Sequence, residues 1–404
     1  MSLTRRRFIG AVSAASAVAA SPVSVRAASS RDDPLGVRAD FPAVEDTIFL
    51  NSAYTALSPR QALQAAHDFI ATKGTKPPDV PQMMHQSEVV RERFARLIGA
   101  TVEEIGLLYA TSDGENIVTR ALQFRAGDNV VIDDLHYHTS YVLYQHLKET
   151  LGIEVRIVNN VDGAVSLEDI AARIDQRTRL VSVSWVSHRN GFRYDLKKLA
   201  AIAHDGGAFL YVDAIQGIGM LDLDVKDANV DFLTSGGYKW LLAGYGAAPF
   251  YVRKDLMDRI TPDRSGGFQS AEALADHRFR LHTDARKYQY ATMAFDAVYH
   301  LGASLEYILR IGVPNIERYT VGLAQGLRGE LAKQGFAMLT PSGNQSAIVS
   351  FEHGREPKYI QQSLQTGGFN VTVSDSQSYV RIGIALFNNQ SELDRLLKLT
   401  STWV

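Results

Sequence analysis

From about residue 103, short runs that are apolar almost throughout alternate with longer runs whose apolar residues recur every three or four positions. "EEIGLLYA" leads into "SDGENIVTRALQ", "DNVVIDD" into "LHYHTSYVLYQHLKETLG", and "RLVSVSWVSH" into "DLKKLAAIAHDG". "GAFLYVDA", "FLTSGGY" and "GAAPFYVR" close the series. The short runs read as strands covered on both faces and the longer ones as helices. Their alternation predicts right-handed βαβ units and an α/β fold around a mostly parallel sheet flanked by helices. Upstream, "DTIFLNSAYTALSP" predicts a short strand and a turn, and "RQALQAAHDFIATKG" and "HQSEVVRERFARLIGA" predict helices.

The texture changes near residue 262. "PDRSGGFQSAEALADHRFRLHTDARKYQY" is polar and irregular, and a helical run, "DAVYHLGASLEYILRIG", follows. The end predicts a small α+β unit: "QSAIVSFEH", "FNVTVSD" and "YVRIGIAL" as strands, "SELDRLLKLT" as the last helix. A large domain is expected over residues 48–300 and a smaller C-terminal one over 301–404, with residues 28–47 packing near the latter.

A chain of 404 residues with 46% hydrophobic and 21% charged residues is globular in composition. With a net charge of −2 there is no basic excess and no long run of like charge to suggest a nucleic-acid partner. Cysteine is absent, which removes disulfides and thiol nucleophiles. The N-terminus is informative about compartment. Arg5, Arg6 and Arg7 precede an alanine-rich, weakly apolar stretch that ends in Val25-Arg26-Ala27, a small-x-small cleavage pattern. This is signal-peptide anatomy over residues 1–27, and the Thr-Arg-Arg-x-Phe-Ile order resembles the twin-arginine type. It predicts passage through a twin-arginine translocase to the periplasm, with no membrane span in the mature chain.

In open α/β sheets ligands sit beyond the carboxyl ends of the strands. The first such end gives Thr111-Ser112-Asp113-Gly114 at a helix start, where amides and the helix dipole attract anions. The next gives His136, Tyr137 and His138, then Ser187 and His188, then Asp213 and Gln216, and finally Lys239 in an aromatic, glycine-rich setting. A carboxylate closing a buried run is costly unless it meets a cation. One ligand accounts for the set. Pyridoxal 5'-phosphate needs an anion site, a lysine for its aldehyde, a carboxylate beside its ring nitrogen and a flat side chain on its ring face. His136 and His138 form a His-x-His pair, but no third and fourth ligand stand at a zinc-site spacing, so no metal is expected.

These residues carry a resemblance. "VDAIQGIGMLDLDVKDANVDFLTSGGYKWL", "TSDGENIVTRAL", "DDLHYHTSYVLYQHL" and "VSWVSHRNG" resemble segments of the class V aminotransferase family of fold-type I pyridoxal-phosphate enzymes. That family includes cysteine desulfurases, isopenicillin N epimerase and kynureninase-like proteins. The resemblance implies that Lys239 bonds the cofactor, Tyr137 stacks on its ring, and Asp213 pairs with the ring nitrogen. It implies that His188 and Gln216 contact the phenolic oxygen, and that Thr111, Ser112, Gly236 and Tyr238 lie near the phosphate. It implies a homodimer in which Thr292, within "KYQYATMA", reaches the partner's phosphate, although Ala291 replaces the family's glycine. It places the substrate α-carboxylate on Arg381. The strand pattern agrees, since Val380, Ile382, Ile384 and Leu386 alternate with Arg381 and two small residues, Gly383 and Ala385.

Two departures stand out. The chain has no cysteine, and "VSDSQSYVR" is too short for the loop that carries one in cysteine desulfurases, so the expectation is an enzyme other than a cysteine-persulfide desulfurase. His188 stands where many relatives have asparagine. The leading expectation is an exported enzyme acting at the α-carbon of an amino acid, by aminotransferase-like or lyase chemistry. The alternatives are an isopenicillin N epimerase-like reaction and a non-catalytic cofactor- and amino-acid-binding protein. A G-x-G-x-x-G after the first strand and a G-x-S-x-G elbow are both missing, against nicotinamide and serine-hydrolase chemistry.

Overall fold

The computed structural model describes residues 32–374 and 378–404, so the expected signal over residues 1–27 lies outside the described residues. A short strand β1 (Ile48–Phe49) precedes two helices, Arg60–Thr75 and Val80–Leu97, which both pack on the later helix Phe295–Ile311. The second helix begins five residues before the "HQSEVV" pattern, because Asp79 caps it, accepting from the Gln82 amide at 3.0 Å, and Pro81 sits in its first turn.

The central sheet holds β2 (Ile105–Leu108), β3 (Asn129–Asp133), β4 (Glu154–Val158), β5 (Thr178–Ser184), β6 (Phe209–Asp213), β7 (Phe232–Thr234) and β8 (Ala248–Val252). Their spatial order is β2-β8-β7-β6-β5-β3-β4. Every neighbouring pair is parallel except the two made by β8. The sheet is therefore mostly parallel, as the alternation of runs predicts. β2, β3, β6, β7 and β8 are buried along nearly their whole length, which is why their sequences are continuous apolar runs. Edge strand β4 is half exposed, and its Glu154 and Arg156 hide it from an apolar-run reading.

The polar stretch after residue 262 contains a hairpin, β9 (Ser270–Ala273) with β10 (Phe279–Leu281), whose strands are largely exposed and so leave no period-2 signal. Helix Phe295–Ile311 runs straight into helix Val313–Lys333 at Gly312. The remaining strands are β11 (Ile348–Glu352), β12 (Phe369–Asn370), β13 (Thr372–Ser374) and β14 (Tyr379–Gly383). β14 is the middle of a three-stranded antiparallel sheet, order β11-β14-β13, and β12 pairs with β1. The expected alternation over 380–386 is corrected: β14 ends at Gly383 and both its faces are buried, because Ala53 packs on the face of Arg381 and Gly383.

Residues 32–44 lie against the C-terminal unit. Arg38 pairs with Glu392 at 2.9 Å, and Phe41 packs on Phe387 with ring centroids 4.7 Å apart. One glycine fixes the seat of the helix Thr111–Ala121. A Cβ on Gly114 would stand 1.9 Å from Thr234 Oγ1, so only glycine lets this helix start approach β7 so closely.

Candidate active site

The loops after β2, β3, β5, β6 and β7 converge on one cavity. Thr111 and Ser112 line it from the start of their helix, together with Tyr137, His188, Asp213, Gln216, Tyr238 and Lys239. Seven of these residues come from the strand-end reading, and Tyr238 from the family resemblance.

Lys239 is 7% exposed and sits between two rings, its Nζ 5.8 Å from the centre of Tyr137 and 5.7 Å from that of Tyr238. Burial lowers its pKa to about 8; Asp213 opposes the shift and Arg381 adds to it. Asp213 is buried, and desolvation raises its pKa against the pull of the Ile215 amide and Lys239. The cavity is therefore lined by a lysine whose pKa is lowered to about 8 and a buried carboxylate that it only partly compensates.

His188 packs edge-on against Tyr137, with centroids 5.0 Å apart. Burial, then Arg381 and Lys239, push its pKa down to about 3, so the imidazole is neutral at physiological pH. Its Nδ1 is buried without a hydrogen-bond partner among the described residues. Gln216 is more committed than its expected role implies: its Nε2 donates to Ala53 O at 2.8 Å and its Oε1 accepts from Trp240 Nε1 at 2.9 Å.

At the anion end, Thr111 Oγ1 accepts the Gly236 amide at 3.0 Å, tying the turn before Lys239 to the helix start. Asp113 Oδ2 accepts from the Ala110 amide at 3.0 Å and the Tyr109 amide at 3.3 Å, and Arg264 stands 3.7 Å from its Oδ1. Tyr238, half-buried, stacks on Tyr245 at 4.5 Å, and burial pushes its phenol up to about 12.

Arg381 and Thr292 stand apart from the cavity lining. Arg381 is 6% exposed, donates from Nη1 to His188 O at 2.7 Å and from Nη2 to Thr372 Oγ1 at 3.1 Å, and leaves its Nε without a partner among the described residues. Thr292 accepts through its carbonyl from Tyr109 Oη, beside the T-shaped Tyr109–Tyr290 pair.

The structure adds residues to the site that the strand ends do not name. Glu115, Ser140 and Ser184 line the cavity. Glu115 shares a helix face with buried Val118 and Leu122, three and seven positions on, and an acid in that row was the available signal.

The donor set fits pyridoxal phosphate. A helix start offers amides to a phosphate, a buried lysine of depressed pKa offers a nucleophile to an aldehyde, and a buried under-compensated carboxylate suits a cationic ring nitrogen. Pyridoxal-phosphate enzymes of fold type I share this mostly parallel, helix-flanked sheet, and the chain has their architecture. Residues 48–396 match the family described as aminotransferase class-V, and the chain belongs to it. Its cofactor is pyridoxal phosphate.

Among curated relatives, the chain is 28% identical over 386 residues to a probable cysteine desulfurase of Methanothermobacter thermautotrophicus, covering 89% of this chain and 95% of that one. It is 27% identical over 389 residues to the cysteine desulfurase of Escherichia coli strain K12, covering 89% and 96%. Among solved structures it superposes on the apo cysteine desulfurase of Thermococcus onnurineus NA1 with a TM-score of 0.84 at 25% identity, covering 93% and 98%.

These likenesses correct one expectation. The missing cysteine does not set the chain apart from the cysteine desulfurases, since proteins of that name are similar to it over most of its length. The physical reason is that a thiol on the protein concerns where sulfur would go, whereas the groups at the cavity act on the amino acid itself. The segment "VSDSQSYVR" carries no weight either way, because its residues 375–377 lie outside the described residues.

Proposed function

We propose that this protein is an exported pyridoxal-phosphate enzyme that acts at the α-carbon of an amino acid, by aminotransferase-like or lyase chemistry, as a homodimer. The observation that carries this reading is Lys239, buried between Tyr137 and Tyr238 with its pKa lowered to about 8 beside Asp213. The bound cofactor supplies an electron sink for negative charge at the α-carbon. Lys239, once free of the cofactor's aldehyde, is the base placed to take and return a proton at that carbon. Asp213 holds positive charge on the ring nitrogen. Arg381, with an unpaired Nε in a buried setting, supports binding of the substrate carboxylate. His188, neutral, offers a hydrogen bond without adding charge.

Borohydride reduction of the cofactor-loaded protein and peptide mapping test the core of the reading: the label should fall on Lys239, and a label on another lysine sinks it. A screen of amino acids, cysteine included, by cofactor absorbance and product analysis separates transamination from elimination. Export rests on Arg5 and Arg6 within the Thr-Arg-Arg-x-Phe-Ile order. Replacing both by lysine should trap folded precursor in the cytoplasm, and normal export of that variant would refute the twin-arginine route.

A further inference from the structure

We propose that Glu115, acting through Ser182 and His136, is the positioning residue for Tyr137 and so for the cofactor ring that Tyr137 faces; this rests on the reading of the cavity as a pyridoxal-phosphate site. Four elements contribute to the network: the helix Thr111–Ala121, the turn after β3, strand β5 and the helix His138–Leu151. His136 Nδ1 accepts the backbone N–H of Tyr137 at 2.8 Å. A backbone N–H can only donate, so Nδ1 carries no proton, and the neutral imidazole must carry its proton on Nε2. Nε2 lies 3.2 Å from Ser182 Oγ, to which it donates. The Ser182 hydroxyl is then free to donate onward to Glu115 Oε1, at 2.6 Å. Ser184 Oγ, 3.2 Å from Nδ1, completes the ring's surroundings as a second donor.

The chain of bonds has one direction, and Glu115 sets it. Its Oε2 accepts from Ser140 Oγ at 2.7 Å and its Oε1 also from Tyr144 Oη at 2.8 Å, so three hydroxyls donate to the carboxylate and both of its oxygens are held. Glu115, His136, Ser140, Tyr144 and Ser182 are each at most 4% exposed. A carboxylate buried this deeply is unfavourable unless fully hydrogen-bonded, and an apolar side chain in its place would fill the same helix face. What the carboxylate adds is an acceptor at the end of the chain, which fixes the tautomer and thereby the amide of Tyr137. The ring of Tyr137, 37% exposed in the cavity wall, is flanked by the His138 ring at 4.3 Å and the His188 ring at 5.0 Å, so the backbone amide is what ties its position to the buried network. An isolated imidazole would populate both tautomers, and the Nδ1–H form would face the Tyr137 amide donor to donor.

The experiment uses two readouts. In apoprotein labelled with nitrogen-15 histidine, His136 should carry its proton on Nε2, and an Nδ1–H form overturns the proposal. Binding of pyridoxal phosphate and of pyridoxal, which lacks the phosphate, is then compared across variants. Ser182→Ala and His136→Phe should weaken both ligands by the same factor, about tenfold for the loss of one orienting hydrogen bond, and flatten the circular dichroism of the bound cofactor. His136→Asn keeps an acceptor at the Nδ1 position and should stay within about twofold. A loss confined to pyridoxal phosphate would assign the network to the anion end instead and overturn the role given to Tyr137. Unchanged binding in Ser182→Ala would also overturn it, and this small substitution decides the matter if His136→Phe does not fold. Failure of the cavity reading shows separately, as no cofactor uptake by the unmodified protein, and the tautomer still decides the relay.

Discussion

Arg381 donates from Nη1 to the backbone carbonyl of His188 at 2.7 Å, joining the middle strand of the small sheet to the turn that follows β5. One strand neighbour reinforces the joint, since Ser350, paired with Arg381 across β11 and β14, donates its hydroxyl to Arg189 O at 2.7 Å. The guanidinium is thus held by two hydrogen bonds while its buried Nε has no partner among the described residues.

The first prediction follows. Arg381→Lys removes the planar fork and the bond to His188, and a lysine cannot hold a carboxylate bidentately. KM for the amino acid should rise by about 10–100-fold, the range of a lost charge-assisted hydrogen bond. The spectrum of the bound cofactor should stay as in the parent. A KM within twofold of the parent would remove Arg381 from substrate binding.

His188 gives a pH prediction. Its folded pKa of about 3 lies below the ordinary histidine value of 6.5. The unfolded chain binds a proton between those two values that the folded chain does not, so this residue costs stability as pH falls from 6.5 towards 3. His188→Asn, which cannot titrate, should therefore lose less Tm than the parent over that interval. In the parent apoprotein the His188 ring resonances should not move between pH 5 and 8.

Lys239 acts in the alkaline range by the same rule. Its pKa falls from 10.5 in the unfolded chain to about 8 in the fold, so below pH 8 the folded lysine carries a penalty. That penalty disappears as pH rises from 8 to 10.5, and stability from this group rises over the interval. The shift corresponds to about 3 kcal/mol. Apoprotein of Lys239→Met should be the more stable at pH 7, with the difference closing as pH approaches 10.5. A constant difference across that range would mean the lysine is not held in a desolvated site.

Asp213 should be needed for turnover and not for folding. Asp213→Asn keeps the shape and an acceptor for the Ile215 amide, which Asp213 Oδ1 receives at 3.0 Å. It gives up the negative charge that favours a protonated ring nitrogen. An ionic hydrogen bond of about 1.5–3 kcal/mol corresponds to a loss of roughly 10–150-fold. Unchanged kcat in a folded, cofactor-loaded variant would contradict the assignment.

Legibility followed burial. The strands that end at the cavity are apolar along their length, so their polar terminal residues, Asp213 above all, stand out in the sequence. Lys239 stands out for the same reason, as a charge among buried aromatic and small residues. Helix Val313–Lys333 was not legible, because Gly322, Gly326 and Gly329 depress its helix propensity and only packing restores it. Edge strand β4 and the β9–β10 hairpin were obscured by exposure, which removes the pressure for an apolar pattern. Glu115 is not legible, because a single acid on a helix reads as surface, and only the hydroxyls of Ser140, Tyr144 and Ser182, brought from other elements, account for its burial. Gln216 was legible as a cavity residue but not as one already held by Ala53 and Trp240, since those partners are distant or ambiguous in sequence.

The last prediction concerns Thr292. Within one chain its carbonyl is held by Tyr109 Oη, next to the start of the helix Thr111–Ala121, while its side chain is not among the groups that line the cavity. Arg264 sits over Tyr290 at 5.0 Å and near Asp113 at 3.7 Å, so the segment is fastened to the edge of the anion end rather than inserted into it. In the proposed homodimer, this threonine would serve the phosphate of the second copy. Lys239→Ala and Thr292→Arg should each be inactive alone for different reasons, one lacking the nucleophile and one blocking the partner's phosphate. Mixed subunits that exchange should contain one cavity with an intact lysine facing an intact threonine, and up to half of the activity per heterodimer should return. Size-exclusion chromatography with light scattering establishes the dimer, and tagged subunits establish the heterodimer. A verified heterodimer with no recovered activity would show that each cavity is complete within its own chain.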